Sequence, residues 1–156
     1  MTNGLRKAWT ELVQPLLRRP PEHQVAALCW REAEDADPGD IEVLLITSRD
    51  TGRWIVPKGW PIDGLTGAEA AAREAWEEAG VTGSVQAGTP IGSYDYGKTQ
   101  DQGYDLAVQV QVFKLHAQDL SDDFPECSER RRSWVSPAKA ATMVRERGLQ
   151  NILRAL

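Results

Sequence analysis

Apolar side chains along much of the chain recur at every second position, which is the period of a β-strand. In residues 105–115 an apolar side chain stands at each even position from Leu106 to Val112, with Gln109 and Gln111 between them. This alternation predicts a strand with one buried face. Continuous apolar runs between turn residues predict further strands at residues 24–31, 41–48, 54–56 and 133–135, and extended chain with turns at Gly88 and Gly92 over residues 81–96.

Two segments carry the signals of helix ends. Residues 66–79 begin with a Thr-x-x-Glu capping box and are followed by Gly80, where a left-handed residue closes a helix. They predict one helix. Ser136, followed by proline at the first helical position, predicts a second helix that ends at Gly148.

The order of elements predicts the fold class. Strands, a helix, further strands and a last helix favour an α+β fold, an α/β/α sandwich with a mixed sheet between helices. The length of 156 residues fits one domain, which we assign to residues 23–156. Residues 1–22 form an N-terminal extension whose apolar spacing predicts a short amphipathic helix docked on the domain. A dimer or membrane contact is the alternative.

Charge and cysteine content narrow the class of function. Eighteen Lys and Arg residues against 23 Asp and Glu give a net charge of −5, which argues against a stable nucleic-acid complex or a membrane-surface protein. Two isolated cysteines, Cys29 and Cys127, exclude a disulfide framework and fit the reducing cytoplasm. We therefore expect a cytoplasmic protein, monomeric or homodimeric.

Three glutamates share one turn of the first predicted helix. Glu74, Glu77 and Glu78 lie three and four positions apart, so their carboxylates converge, and alanines stand on the opposite face. Only Arg73 stands beside these repelling charges. The pattern has two interpretations: a solvated acidic face, or a site for a hard divalent cation.

Residues 59–81 carry a glycine, an Arg-Glu pair, a Glu-Glu pair and a second glycine at fixed spacing. The positions are Gly59, Arg73, Glu74, Glu77, Glu78, Gly80 and Val81. This segment resembles the Nudix box of the Nudix hydrolases, with a departure at Leu65, where the box has glutamate, and a small residue at Ala75. The similarity covers about residues 24–144, and residues 129–136 resemble the diphosphoinositol polyphosphate phosphohydrolase branch.

The resemblance implies a Nudix fold and a metal site. By it, Glu74, Glu77 and Glu78 bind Mg²⁺ or Mn²⁺, and a backbone carbonyl of Lys58 or Gly59 completes the coordination. Glu77 and Glu78 are also the candidate catalytic groups.

The resemblance further implies which residues support the box. Gly59, Arg73 and Gly80 have that structural role. Because the first glutamate of the box is missing, Glu69 or Asp63 is expected to pair with Arg73 instead. Two acids of the polar loop at residues 119–132 are candidate general bases, namely Glu126 and Glu129.

A phosphate-rich substrate needs cations and, for a nucleotide, a stacking surface. The candidate cations are Lys58, Arg49, Arg53, Lys98, Arg130 and Arg132. Alternation along a strand predicts that Arg130 and Arg132 share one face. The alternative is a strand edge kept soluble by charge. The candidate stacking residues are Trp60, Tyr94 and Tyr96.

The resemblance, together with these features, implies a metal-dependent hydrolase with a small phosphorylated substrate. The first expectation is cleavage of a pyrophosphate bond in a diphosphoinositol polyphosphate, a diadenosine polyphosphate or a related nucleoside diphosphate derivative. One alternative is a Nudix pyrophosphatase for ADP-ribose, nucleoside triphosphates or RNA 5′ ends. Another is a Nudix-fold module that senses a nucleotide without cleaving it.

Overall fold

A computed structural model describes residues 20–85, 88–99 and 105–156. The predicted N-terminal helix therefore lies outside the described residues. The strands are β1 (Glu22–Glu32), β2 (Ile41–Thr47), β3 (Trp54–Ile55), β4 (Lys58–Gly59), β5 (Val81–Val85), β6 (Gly92–Thr99), β7 (Asp105–Leu120) and β8 (Arg132–Val135). The helices are α1 (Gly67–Ala79), α2 (Pro137–Met143) and α3 (Arg147–Arg154).

The strands form one mixed sheet with the path β3-β2-β1-β7-β5. β1 and β7 pair in parallel, from Glu22 opposite Val108 to Trp30 opposite His116. The other pairings among the described strands are antiparallel; β4 adds to β1, β6 to β7 and β8 to β2. The predicted mixed sheet is therefore confirmed.

Two separate cores cover the two faces of the sheet. On one face α1 presents Ala71, Ala75 and Ala79, all fully buried, and these small side chains let the helix backbone approach the strands closely. On the other face Leu149 and Leu153 of α3 pack on the valines of β7. Burying a leucine stabilises the fold by about 1.5–3 kcal/mol. This layering confirms the predicted α+β sandwich.

The first helix begins and ends as predicted. Thr66 accepts a hydrogen bond from the Glu69 N–H at 3.2 Å, and Glu69 Oε1 accepts one from the Thr66 N–H at 3.0 Å. Gly80 closes the helix with a φ of 69°. Within the described ranges, no helix is long and apolar enough to cross a membrane.

The boundaries of three other elements differ from the predictions. β7 extends to Leu120, five residues beyond the predicted end, and Gly92 opens β6 where a turn was expected. The second predicted helix ends at Met143, and Gly148 lies inside α3. A Cβ at Gly148 would come within 2.7 Å of the Tyr94 Cβ, so this glycine permits close helix–strand packing and does not end a helix.

Candidate active site

One open pocket of about 720 Å³ lies where strands of the sheet, helix α1 and several loops meet. Its lining comes from β1, the β2–β3 turn, β3, β4 and the residues after it, α1, β6, the loop before β8, and the connection between α2 and α3. These segments are distant in sequence. The pocket therefore depends on the completed sheet.

Besides Asp50 of the β2–β3 turn, four carboxylates line this pocket: Glu74, Glu77 and Glu78 from α1, and Glu126 from the loop before β8. We call them the carboxylate cluster. The Glu126 N–H donates to the Glu77 carbonyl oxygen at 3.0 Å, which fixes that loop on the last turn of α1. Glu129, the other candidate base, is outside the lining.

Glu78 links the helix to β4. Its side chain is buried; Oε2 accepts a hydrogen bond from the Lys58 N–H at 3.1 Å, and Oε1 pairs with Arg130 Nη2 at 3.1 Å. Burial raises the pKa of this carboxyl, and the Arg130 guanidinium opposes that rise. The two contacts hold a buried charge in one orientation.

Glu74 lies against the backbone of Gly59. A Cβ at Gly59 would collide with both carboxylate oxygens of Glu74, so glycine at this position makes room for the carboxylate. Burial, followed by the negative charges of Glu78, Glu77 and Glu126, raises the pKa of Glu74 to about 7. The surroundings of Glu74 therefore disfavour its charged form.

Arg130 holds carboxylates together. Its side chain is 4% exposed; Nη2 lies 3.1 Å from Glu78 Oε1 and 3.1 Å from Glu126 Oε1, and Nη1 donates to the Thr47 carbonyl at 3.0 Å. A buried arginine with these partners acts as a fixed counter-charge. Arg49, which is more exposed, pairs with Glu126 at 3.2 Å.

The expectation that Arg130 and Arg132 face the pocket together is wrong. β8 begins only at Arg132, so strand alternation does not extend back to Arg130. Arg132 lies outside the pocket lining and donates to the carbonyls of Ala79 and Ser121 and to Asp122. It fixes the loop that carries Glu126.

A second group of cations lines the pocket, and we call it the cationic cluster: Arg53, Lys58, Lys98 and Arg145. The Lys58 Nζ lies 5.2 Å from the centre of the Tyr96 ring, and burial lowers the pKa of this lysine. The Lys98 Nζ lies 5.2 Å from the Trp60 ring. Of the candidate stacking residues, Trp60 and Tyr96 line the pocket, and Tyr94 is buried in the core.

Sequence reasoning missed Arg145 and its neighbour Glu146. Both follow α2, in a stretch that the pattern assigned to a continuous helix ending at Gly148. No glycine, asparagine or proline stands at residues 144–146, so the sequence carries no signal for a helix end there. The early helix end, visible only in the structure, brings Arg145 to the pocket lining and Glu146 to Arg53.

The family model described as a NUDIX domain matches residues 22–156. The chain belongs to the Nudix family. Nudix hydrolase 21, chloroplastic, of Arabidopsis thaliana is 34% identical over 119 residues, which is 75% of this chain and 57% of that protein. Diphosphoinositol polyphosphate phosphohydrolase 3-alpha of Mus musculus is 36% identical over 115 residues, covering 71% of this chain and 62% of that protein.

Solved structures agree with the Nudix fold. The C. elegans Ap4A hydrolase superposes with a TM-score of 0.59 at 20% identity, covering 86% of this chain and 95% of that one. The NUDIX domain of Shewanella oneidensis NrtR, solved with ADP ribose, gives 0.57 at 16% identity, covering 99% and 97%. At these identities the likeness shows the fold alone.

The Nudix box of this chain does not replace its missing glutamate in the way expected. Glu69 uses its carboxylate in the capping box with Thr66, so it is not paired with Arg73. Asp63 is exposed, and Arg73 forms no ion pair with any residue that the structure describes. The box helix is held by Gly59, the Thr66 cap and the Glu78 contacts instead.

The donor set of this Nudix box fits a hard divalent cation. Glu74, Glu77 and Glu78 offer only carboxylate oxygens, the ligands that Mg²⁺ and Mn²⁺ prefer. After burial, the negative charges of Glu78, Glu77 and Glu126 raise the pKa of Glu74, and a cation would neutralise those charges. Across the described ranges, no three His, Cys, Asp or Glu side chains form a ready-made coordination group.

Proposed function

We propose that this Nudix domain is a metal-dependent pyrophosphohydrolase. Its substrate class is a diphosphoinositol polyphosphate, a diadenosine polyphosphate or a related nucleoside diphosphate derivative. The observation that carries the proposal is the meeting of the carboxylate cluster and the cationic cluster in one pocket. Carboxylates serve a divalent ion, and cations serve the phosphates of a substrate.

The names of the relatives support this proposal. They include Nudix hydrolases and diphosphoinositol polyphosphate phosphohydrolases. The chain spans 57% of the length of the first of these relatives and 62% of the other, so the activity of a whole relative is carried over here as a proposal only.

Glu74, Glu77 and Glu78, together with a carbonyl oxygen of Lys58 or Gly59, would hold Mg²⁺ or Mn²⁺. The ion would supply a lowered pKa for an attacking water and positive charge for the phosphates. The Lys58 N–H fixes the orientation of Glu78 for this role.

The other residues orient the substrate and accept a proton. Glu126 is the proposed general base, because it lines the pocket and Arg130 fixes its Oε1 beside Glu78. Glu129 is the weaker candidate, since it is outside the lining. Lys58 and Arg53 are proposed to bind phosphate oxygens.

A substrate panel tests the proposal. Purified protein is incubated with a diphosphoinositol polyphosphate, diadenosine tetraphosphate, ADP-ribose and a nucleoside triphosphate, with Mg²⁺, with Mn²⁺ or with a chelator, and products are identified by mass spectrometry. We expect cleavage at a pyrophosphate bond that the chelator abolishes. Tight binding of a nucleotide without any cleavage would favour the sensing module. Cleavage that persists with the chelator would overturn the metal dependence.

Three further expectations stay predictions. A cytoplasmic location rests on the unpaired cysteines, Cys29 buried and Cys127 exposed; some relatives carry chloroplastic or mitochondrial in their names. The absence of a stable nucleic-acid complex rests on the net charge of −5. A monomeric or homodimeric state is testable by light scattering.

A further inference from the structure

The connection between α2 and α3, residues 144–146, brings Arg145 to the pocket lining and Glu146 into contact with Arg53, which also lines the pocket. Glu146 stands at the N-cap of α3 but makes no capping hydrogen bond. Instead its Oε1 pairs with Arg53 Nη1 at 2.5 Å, across 93 positions of the chain. Glu146 therefore contacts Arg53 and does not cap its own helix.

The burial of this pair points to positioning rather than to stability. The Glu146 side chain is 6% exposed, and its Oε2 is buried without a hydrogen-bond partner in the described part of the chain. A buried ion pair with an unsatisfied oxygen contributes little net stability, because removing two charges from water is costly. What the pair does achieve is one fixed position for Arg53, whose Nε and Nη2 donate to no described residue.

Arg145 reaches the pocket because its neighbours are turned inward. Val144 and Glu146 are buried, and both have extended backbone, with ψ of 152° and 120°. Side chains along extended chain alternate, so Arg145 between them faces outward. It lines the pocket and forms no ion pair with any residue in the described ranges.

We propose that Arg145 and Arg53, the latter positioned by Glu146, form a second anion subsite for a substrate phosphate that is not cleaved. This inference rests on the proposed function and narrows its substrate class to molecules with a phosphate beyond the scissile pyrophosphate. That phosphate can belong to a polyphosphorylated ring or to a linear polyphosphate chain. Both offer the same oxygens to two guanidinium groups.

Binding without metal tests the subsite directly. Inositol hexakisphosphate and inorganic tripolyphosphate are titrated calorimetrically into wild type, Arg145→Ala and Arg147→Ala in the presence of a chelator. Arg147 is the matched control, since it is exposed, two positions away and outside the pocket lining. We expect Arg145→Ala to weaken at least one probe about 10-fold, the effect of one charged hydrogen bond, and Arg147→Ala to stay within about twofold.

The two probes distinguish the sources of the phosphate. A loss confined to inositol hexakisphosphate assigns the subsite to a ring-borne phosphate, and a loss confined to tripolyphosphate assigns it to a linear chain. Equal affinity of wild type and Arg145→Ala for both probes would overturn the subsite, as would an equal loss in Arg147→Ala.

Turnover separates Glu146 as a positioning residue from a purely structural one. In Glu146→Gln we expect KM for the polyphosphorylated substrate to rise about 10-fold with little change in kcat, while ADP-ribose, which has only the scissile pyrophosphate, stays within about twofold. Combining Glu146→Gln with Arg53→Ala should add little to Arg53→Ala alone. Equal losses on both substrates, with a lowered melting temperature, would reduce the pair to a structural role.

The subsite and the proposed function fail separately. If wild type cleaves no compound of the panel but loses metal-free affinity through Arg145→Ala, the subsite stands and the hydrolase proposal falls. If wild type cleaves them and Arg145→Ala matches it in both assays, the hydrolase proposal stands and the subsite falls.

Discussion

The carboxylate cluster and the cationic cluster of the pocket draw on the chain in different ways. Three of the four carboxylates stand within five positions of one helix, and the fourth is tied to that helix by a backbone hydrogen bond. The four cations come from four segments, and Arg53 is held by a partner 93 positions away. One cluster is thus a property of a local motif, whereas the other is a property of the whole fold. Changes to the first should affect the chemical step, and changes to the second should affect the choice of substrate.

The largest expected effect comes from the carboxylate cluster. Glu78→Gln keeps the shape but removes a charge from the proposed metal ligand, so we expect kcat/KM to fall about 10²-fold or more, with divalent binding weakened in parallel. Kinetics and metal titration measure both. Glu34→Gln, in the exposed β1–β2 loop, is the matched control. Normal turnover in folded Glu78→Gln protein would remove Glu78 from the chemistry.

A smaller effect is expected when the space for a carboxylate is filled. In Gly59→Ala the new methyl group displaces the Glu74 carboxylate, whose flexible side chain can move, so the fold should survive. We expect affinity for Mn²⁺ to fall about 10-fold with a nearly unchanged melting temperature. Gly88→Ala, where an added Cβ meets open space, is the control. Equal Mn²⁺ affinities in the two variants would show that Glu74 does not need its present position.

The unfavourable ionisation of Glu74 should lower the free energy of unfolding of the metal-free protein. Because the folded pKa of Glu74, about 7, is above its usual value of 4.5, the folded state loses stability as pH rises through that window. Glu74→Gln should therefore stabilise the protein at pH 8 by about 1 kcal/mol, a value reduced for the solvent that screens this half-buried carboxyl, and by much less at pH 5. Urea unfolding at the two pH values measures the difference. An equal gain in the free energy of unfolding at pH 5 and pH 8 would show that the ionisation of Glu74 is not its cause.

The smallest effect concerns the start of the box helix. Glu69→Ala removes the carboxylate that accepts the Thr66 N–H, so we expect the free energy of unfolding to drop by about 0.5–1 kcal/mol with the substrate preference unchanged. Arg73→Ala should cost less, because Arg73 is exposed and forms no ion pair with a described residue. If Arg73→Ala lowered the melting temperature more than Glu69→Ala, Arg73 would have a stabilising partner outside the described ion pairs.

The sequence could predict the three helical members of the carboxylate cluster because their signal is local. A capping box, a closing glycine and three glutamates at helical spacing place those side chains before any tertiary contact is known. Arg145 and Glu146 could not be predicted in this way, since their position depends on α2 ending at Met143. The different positions of Arg130 and Arg132 could not be predicted either, because they depend on where β8 begins. Strand periodicity predicted the sheet well, and the element ends were decided by packing, as at Gly148 against Tyr94.

The parallel pairing of β1 with β7 has a consequence for the order in which the molecule forms. β1 joins the sheet through nine residue pairs with a strand from the far half of the chain, so a ribosome releases β1 long before its partner exists. Until then the apolar run from Val25 to Cys29 lacks one of its neighbours and is open to other strands. Such long-range closure slows folding. We expect β1 to be the segment that a chaperone shields during synthesis, and the active pocket to be among the last features to form.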